Sequence, residues 1–326
     1  MMVSFESMVP GLRAVAEPTR LRLLALCAEA ELTVSELTGI LGQSQPRISR
    51  HLKLLCEAGV LDRYPEGNWV FFRLARDGAG AVLGRRLSEL LAVGDTADDP
   101  TIALDRQRLE EVRQDRAVAA ADYFRANASR WDELRKLHVP ETEVEKALIG
   151  MLADEHPRAL LDVGTGTGRV LEILGDRIDR GVGIDLSREM LTIARAKLDR
   201  AGLRHCQVRR GDMYKLDLPS EAFDAVVFHQ VLHYADRPAA ALSEAARVLR
   251  RGGRLAIADF APHKLEHLRE AHAHRRLGFA DDEVADWCRA AGLEPDDPIH
   301  LAGDPLTVSL WSAVKTEPQA QEARRS

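Results

Sequence analysis

The chain has 326 residues and a net charge of −6 at pH 7. This length accommodates two domains with separate cores, and the acidic balance excludes binding of a polyanion by bulk charge, so any nucleic-acid contact has to be a local patch. Four scattered cysteines indicate reduced thiols in a cytoplasmic protein. No apolar run approaches the roughly 18 residues of a membrane span, and the first residues lack a signal-peptide pattern, so neither a membrane nor export is expected.

A helix-turn-helix is predicted in the first part of the chain. Thr33 and Glu36 have the spacing of a capping box, which would begin a short helix. Gly42 makes the turn, and Ser44 is predicted to cap a second helix over residues 45 to about 58. The predicted buried positions of that helix are Ile48, Leu52 and Leu55.

The other face of the second helix carries basic, amide and hydroxyl side chains, and no acid occurs between Glu36 and Glu57. Such a face can engage phosphates and base edges in a major groove, although a short basic run is more often a solvated helix face. Two strand-like runs, residues 59–64 and 69–74, favour the first interpretation because they predict a β-hairpin wing beside the groove. The candidate DNA-binding residues are Ser44, Gln45, Arg47, Ser49, Arg50, His51, Lys53, Arg63 and Arg73.

Residues 17–74 resemble the winged-helix domain of the ArsR/SmtB repressor family, most clearly in the stretch 44–55. The resemblance implies binding to double-stranded operator DNA as a homodimer, paired through helices at residues 5–16 and about 76–93. Soft-metal sensors of that family carry cysteines in the short helix, where this chain has Thr33 and Ser35. Because neutral hydroxyls bind soft ions poorly, metal sensing at that place is excluded.

The polar, breaker-rich stretch 94–100 predicts a domain boundary, followed by a bridging helix over residues 101–126. Tyr123 and Trp131 follow, and two interpretations stay open. They could close over a ligand, or they could dock the bridging helix on the core. The predicted domains are a DNA-binding and dimerisation domain at 1–93, a linker and lid at 94–140, a ligand-binding domain at 141–315 and a disordered tail at 316–326.

The most informative motif lies in residues 160–170, where an apolar strand runs into three glycines spaced one residue apart. Gly164, Gly166 and Gly168 would let the chain turn tightly and approach a ligand, while the next helix presents unpaired N–H groups. A second strand, residues 181–185, ends in Asp185, which is placed to accept hydrogen bonds from two ribose hydroxyls.

This G-x-G-x-G run, with Asp162 ahead of it and Asp185 behind, resembles motif I of class I S-adenosylmethionine-dependent methyltransferases. Residues 211–213, 223–229 and 248–255 continue the likeness in order. The resemblance implies an α/β protein: a mostly α winged helix-turn-helix with a β-hairpin wing, then a Rossmann-like seven-stranded fold. It also implies S-adenosylmethionine or S-adenosylhomocysteine as ligand. The candidate ligand-binding residues are Asp162, Gly164, Thr165, Gly166, Gly168, Asp185, Leu186, Met190, Gly211, Asp212, Met213, His229, Tyr123 and Trp131.

Methyl transfer often needs a base, and His229 and His233 are the candidates because the family places residues facing the methyl group there. Alternatively, His229 packs locally without chemistry. A run of histidines follows, in which His263, His267 and His274 are predicted to share one helix face. That face could hold a divalent ion, but a polar helix over the site entrance is favoured, and no metal site is predicted. Further on, residues 306–314 alternate in polarity and predict a final strand.

Two functions are compatible with these motifs. In the first, the methyltransferase fold senses S-adenosylhomocysteine or S-adenosylmethionine and changes operator affinity; here the chain resembles S-adenosylhomocysteine-responsive regulators of methionine-cycle genes. In the second, it methylates a small molecule and carries an autoregulatory DNA-binding domain. The first is favoured because nothing in the sequence specifies an acceptor pocket. The sequence leaves open which ligand is preferred, the sign of its effect, the operator and any acceptor.

Overall fold

The computed structural model describes residues 5–66, 68–93, 99–128, 141–153 and 157–316. Trp131, most of the predicted 94–100 boundary and residues 317–326 of the predicted tail lie outside the described residues. The chain divides into two compact units, Met1–Val118 and Ala119–Ser326. That division falls inside the segment 94–140, which the sequence predicts as linker and bridging helix.

The first unit is mainly helical. Its helices are α1 (Phe5–Val15), α2 (Pro18–Glu29), α3 (Val34–Leu41), α4 (Gln45–Glu57), α5 (Gly78–Leu91) and the first part of α6 (Pro100–Asn127). Its strands are β1 (Leu32–Thr33), β2 (Leu61–Glu66) and β3 (Trp69–Leu74), which form one antiparallel sheet in the order β1-β3-β2. The pairing of Leu61 with Leu74 through Glu66 with Trp69 confirms the predicted hairpin wing.

Local sequence signals account for the helix-turn-helix. The Thr33 side chain accepts a hydrogen bond from the Glu36 N–H while Glu36 reaches back to Thr33, so the predicted capping box is confirmed. Gly42 ends α3 with φ +65°, a left-handed conformation that favours glycine. Ser44 occupies the N-cap position of α4, but its side chain makes no capping hydrogen bond, which differs from the prediction. The buried positions of α4 are Ile48, Leu52 and Leu55, as predicted.

The first part of α6 packs on the first unit. Leu109 is fully buried there with the core residues of α2 to α4. The Arg22 guanidinium donates two hydrogen bonds of 2.6 Å to the buried Asp105 carboxylate, and Arg108 donates to the Ile40 carbonyl at 2.8 Å. Residues 100–118 therefore belong structurally to the helical unit.

The second unit is an α/β sandwich around one sheet. Its strands are β4 (Ala159–Val163), β5 (Arg180–Asp185), β6 (Cys206–Arg210), β7 (Phe223–His229), β8 (Leu249–Phe260), β9 (Leu293–Pro295), β10 (Ile299–Leu301) and β11 (Val308–Lys315). Its helices, after the end of α6, are α7 (Glu141–Ala153), α8 (Arg169–Leu174), α9 (Arg188–Arg200), α10 (Pro238–Val248), α11 (His267–His272) and α12 (Asp281–Ala290).

The sheet has the order β10-β11-β8-β7-β4-β5-β6, with β9 also paired to β11. Five neighbouring strands, β8, β7, β4, β5 and β6, run parallel, and β11 is antiparallel to β8. The short β9 and β10 pair with opposite ends of β11, so together they fill one strand position. Seven strand positions result, which confirms the predicted fold class.

Both faces of the sheet are covered, and this explains one difference from the prediction. The sequence predicts alternation between buried and exposed residues in β11, but Val308 through Ala313 are all buried. In a strand that is covered on both faces, consecutive side chains are all buried and no alternation is seen. Within the described ranges, every helix is too short or too polar to span a lipid bilayer.

Candidate functional site

The predicted ligand residues gather at one edge of the sheet. Gly164 follows β4, Asp185 ends β5, Gly211 follows β6 and His229 ends β7, and these four strands are parallel. β4 lies between β5 and β7. The chain therefore adds β5 and β6 on one side of β4 and then β7 and β8 on the other side. In open α/β sheets, ligands bind outside the carboxyl ends of the strands at this switch point.

The glycine-rich loop is held closed by backbone geometry. Gly164, Gly166 and Gly168 all have positive φ, at +72°, +53° and +83°. The Gly164 N–H donates to the Ile184 carbonyl at 2.7 Å. A Cβ at Gly164 would lie 2.3 Å from Cγ2 of Val231, so only glycine fits this close approach.

Two carboxylates border that loop. The buried Asp162 accepts a hydrogen bond of 2.6 Å from the Thr165 hydroxyl, which fixes the first turn. Asp185 accepts from the Gly166 N–H at 2.9 Å through Oδ2 and from the Ser187 N–H at 2.8 Å through Oδ1. Burial raises the pKa of Asp185, while the backbone hydrogen bonds oppose that rise.

The geometry at Asp185 fits an adenosyl ligand. A carboxylate offers about four acceptor positions, and these two backbone donors use two of them. The remaining positions could accept from two ribose hydroxyls. The other predicted residues differ in exposure. Leu186 is 53% exposed, whereas Met190 is buried. Asp212 is exposed and accepts from the Tyr214 N–H at 2.9 Å, and Met213 is half-buried against the core.

The two candidate bases sit in different surroundings. His229 is 7% exposed at the end of β7. His233 lies in the short 3-10 helix Leu232–Tyr234, and its Nδ1 is 2.7 Å from Oδ1 of Asp259. Both side chains of that pair are almost completely buried.

The His233–Asp259 pair also organises the neighbouring chain. The His233 carbonyl accepts from the Arg275 and Arg276 N–H groups at 2.8 and 2.9 Å, and its ring lies 4.1 Å from that of His274. These contacts describe a packed polar network rather than an accessible base. Sequence reasoning missed Asp259, although an acid at the end of a buried strand was a usable signal.

An aromatic cluster surrounds the same 3-10 helix. The Tyr123 hydroxyl is 2.7 Å from Nδ1 of His272, and the Phe124 ring packs edge-on against Tyr234 at 4.7 Å. Burial raises the pKa of Tyr123 and lowers the pKa of His272, so both groups favour their uncharged forms. Tyr123 thus packs within the second unit.

The predicted histidine face is wrong. α11 covers only His267–His272, so His263 precedes the helix and His274 follows it. The sequence of this region has no periodic apolar pattern from which the ends of the helix could have been predicted. Within the described ranges, no group of three metal-binding side chains is assembled.

On the first unit, most predicted nucleic-acid contacts are accessible. The exposed side chains are Ser44, Gln45, Arg47, Ser49, Arg50, Lys53 and Arg63. Two predicted residues differ because each contacts an acid of its own unit. Nδ1 of His51 is 3.6 Å from Glu17, and burial lowers the pKa of His51. Arg73 is engaged with Glu31, at 3.2 Å.

Comparison with known proteins supports both halves of this description. Residues 17–63 match the family model of bacterial regulatory proteins of the arsR family, and residues 161–257 match the model of a methyltransferase domain. The arsenic resistance transcriptional regulator ArsR1 of Pseudomonas putida is 51% identical over 63 residues, covering 19% of this chain and 49% of that protein.

The second unit has relatives of its own. A malonyl-[acyl-carrier protein] O-methyltransferase of Halorhodospira halophila is 32% identical over 199 residues, covering 57% of this chain and 64% of the relative. A chain of the solved complex between the Haloferax volcanii Trm112 methyltransferase activator and a proposed methyltransferase superposes with a TM-score of 0.54 at 23% identity, over 61% of this chain and 98% of that one, which shows the shared fold.

The matched stretches therefore span only about half to two thirds of these two relatives, 49% and 64%. The two family models match separate segments, one in each compact unit. The chain thus carries a regulatory domain of the arsR family followed by a methyltransferase domain.

Proposed function

We propose that this protein is a DNA-binding transcriptional regulator, acting as a repressor, whose methyltransferase domain binds S-adenosylhomocysteine or S-adenosylmethionine as effector. One observation carries the proposal. The backbone hydrogen bonds of the glycine loop and Asp185 support binding of an adenosyl ligand there, whereas the His233 imidazole is hydrogen-bonded to Asp259 in the protein interior. A site that fits the ligand while the candidate base His233 is almost completely buried favours recognition over chemistry.

DNA recognition is supported by the exposed face of α4. Arg47, Arg50 and Lys53 are exposed on this helix, which follows the turn at Gly42. In a helix-turn-helix the second helix enters the major groove, where arginine and lysine engage phosphates and guanine edges. The hydroxyls of Thr33 and Ser35 do not provide a soft-metal site, so the effector is proposed to act on the other domain.

The two candidate effectors differ by one methyl group and one positive charge. To regulate, a ligand has to bind the DNA-competent and incompetent states with different affinity, because equal affinity shifts no equilibrium. The resemblance to S-adenosylhomocysteine-responsive regulators suggests the uncharged product as the natural effector and methionine-cycle genes as targets.

We further propose a cytoplasmic homodimer. α1 and α5 pack closely together, since a Cβ at Gly11 would lie 2.8 Å from Leu83. On these two helices Leu12 and Leu90 are 46% and 63% exposed. Such exposed apolar side chains fit a self-complementary contact between two copies. Sedimentation equilibrium of the full chain and of Leu12→Glu tests this part.

The proposal is tested by titrating the protein on its own upstream DNA at fixed salt, separately with each ligand. A change in DNA affinity of about tenfold with one ligand, about 1.4 kcal/mol, supports a sensor and gives the sign of coupling. Asp185→Asn should abolish the change while the affinity without ligand stays at the wild-type value. If both ligands bind and neither alters DNA affinity, the sensor proposal fails.

The alternative function is methylation of a small acceptor by a protein that also represses its own gene. His229 favours it, because this side chain stands at the strand end beside the proposed ligand site. Transfer of labelled methyl from S-adenosylmethionine into a small-molecule extract, abolished in His229→Ala, would establish this function in its place.

A further inference from the structure

The wing of the first unit is tied to the helical body by three side chains. Glu31 lies between α2 and β1, Tyr64 lies in β2 and Arg73 lies in β3. Oε1 of Glu31 accepts from Nη1 of Arg73 at 3.2 Å, and Oε2 of Glu31 accepts from the Tyr64 hydroxyl. The Arg73 guanidinium also lies over the Tyr64 ring, 4.5 Å from its centroid. We call Glu31, Tyr64 and Arg73 the wing brace.

The brace joins the wing to the helical body at the base of the hairpin, beside the short strand β1. β1 contains only two residues and pairs with β3 at Phe72 and Phe71. Beyond these pairs, the hairpin continues through Val70 and Trp69 to a tip that no strand of the described residues supports from the body side. A two-stranded ribbon is weakly stable in water, so side-chain ties to the body govern its direction.

The partners of the brace are only partly exposed. The Arg73 and Glu31 side chains are 19% and 22% exposed, so their ion pair is screened less than a surface pair. The Tyr64 ring stacks on Phe71 at 5.7 Å between centroids, which fixes the platform under Arg73. Arg73 is therefore engaged with Glu31 and Tyr64 inside the first unit.

Arg63 has the opposite character. It lies on β2 next to Tyr64, pairs in register with Phe72, and its side chain is exposed. The wing thus presents one arginine outward and uses the other internally. The same hairpin carries Trp69, 44% exposed, close to its tip.

We propose that Glu31 is a positioning residue for DNA binding, which holds the wing through Tyr64 and Arg73 so that Arg63 reaches the phosphate backbone. This inference rests on the proposed function only in requiring that the first unit binds DNA. In this proposal the acidic Glu31 favours binding of DNA, although DNA is a polyanion. Arg73 holds the wing in place and does not contact the DNA.

The brace and simple charge attraction predict opposite changes in DNA affinity when Glu31 is replaced. Glu31→Gln removes a negative charge from a DNA-binding unit, which by Coulomb attraction alone would tighten DNA binding. The brace predicts weakening instead, by roughly threefold to tenfold, the effect expected when one arginine no longer reaches its phosphate at moderate salt. Glu57→Gln is the matched control: the same substitution on α4, where Glu57 lies 3.7 Å from Lys53, should leave affinity equal or tighter.

A salt titration separates positioning from general damage. The slope of log affinity against log salt falls by about 0.9 for each phosphate that the protein no longer neutralises. Arg63→Gln should lower the slope by that amount in the wild-type background and by nothing in the Glu31→Gln background. Tyr64→Phe, which keeps the ring but removes the hydroxyl donor, should give an intermediate weakening even if Glu31→Gln unfolds.

The experiment uses the full chain on its own upstream DNA, with thermal unfolding as a check on each variant. If Glu31→Gln binds as tightly as wild type or tighter, or if Arg63→Gln retains its full slope change in the Glu31→Gln background, the brace is wrong. If wild type itself shows no specific DNA binding, the proposed function fails instead. The two failures are therefore distinguishable.

Discussion

The two units build their candidate sites in opposite ways. In the second unit the site is made by the backbone: three positive-φ glycines, strand ends and a carboxylate anchored by two N–H groups. In the first unit the candidate interface is made by exposed side chains on α4, whose backbone is an ordinary helix. A site made by the backbone tolerates almost no substitution. A surface made by side chains is expected to lose DNA affinity stepwise as individual side chains are replaced.

This difference predicts separable phenotypes. Substitutions in the glycine loop or at Asp185 should abolish ligand binding and leave DNA affinity without ligand unchanged. Substitutions on α4 should weaken DNA binding and leave ligand affinity unchanged. The experiments below test that separation, beginning with the largest expected effect.

Gly164→Ala should cause the greatest loss. The new Cβ would lie 2.3 Å from Val231 at a residue with φ +72°, so strain and overpacking together should cost roughly 2–5 kcal/mol of unfolding free energy. Ligand binding should be abolished in calorimetric titration. Gly202→Ala is the control, because Gly202 has the same φ of +72° with nothing within 4 Å of its Cβ. Equal destabilisation in both variants would show that the close approach to Val231 is unimportant.

Asp185→Asn should weaken ligand binding by roughly 30- to 1000-fold, about 2–4 kcal/mol, because two charge-assisted hydrogen bonds to the ribose would be removed. Titration calorimetry of folded variant and wild type measures this. Asp199→Asn, at an exposed position of α9, controls for the change of charge. Wild-type affinity in Asp185→Asn would remove this side chain from the proposed site.

Replacing Arg47 and Arg50 together by Gln should reduce the salt slope of DNA binding by about 1.8, if each contacts one phosphate. DNA affinity should fall on specific and unrelated sequences alike, while ligand affinity stays unchanged. Arg158→Gln removes an exposed arginine of the second unit as control. An unaltered slope in the double variant would show that α4 does not face the DNA backbone.

Ligand affinity should also depend on pH through Asp185. Burial raises the pKa of this carboxyl above its ordinary range, and a ribose ligand bonds to its ionised form. At pH below that raised pKa the ligand has to displace a proton, so affinity falls as pH falls and reaches a plateau above it. Asp185→Asn should lack this dependence. Identical pH profiles for wild type and variant would contradict the assignment.

His51→Gln should have the smallest effect. Burial lowers the pKa of His51, so the imidazole is uncharged at neutral pH and neutralises no phosphate there. The salt slope should match that of wild type within error. A fall of about 0.9 would mean that His51 is protonated on DNA.

The same contrast explains how much of the molecule could be predicted from its sequence. Glycine and aspartate spacing fixes local backbone, so the loop at residues 164–168, Asp185 and the capping box of α3 were predictable from short windows. The sequence did not show which distant residues Arg73 and His233 contact. Arg73 pairs with Glu31 across 42 positions, and His233 pairs with Asp259 across 26. Such pairs exist only once the sheet register and helix packing are set, and no local pattern encodes them.

The histidine segment failed for a related reason. Its predicted helix face assumed one helix from His263 to His274, but α11 has six residues and ends where Ala273 takes a left-handed conformation, φ +56°. The His263 N–H instead donates to the Leu277 carbonyl at 2.9 Å, and the His274 N–H donates to the Leu268 carbonyl at 3.2 Å. Helix propensity over so short a stretch is a weak guide against such contacts.

The central claim is that the adenosyl site and the DNA site are coupled, and coupling between two binding equilibria is reciprocal. The most direct measurement is the S-adenosylhomocysteine affinity of the protein alone and of the protein saturated with its upstream DNA, at one salt concentration. The proposal predicts that the two affinities differ by the same factor by which the ligand changes DNA affinity, about tenfold. Equal ligand affinity in the presence and absence of DNA would contradict it.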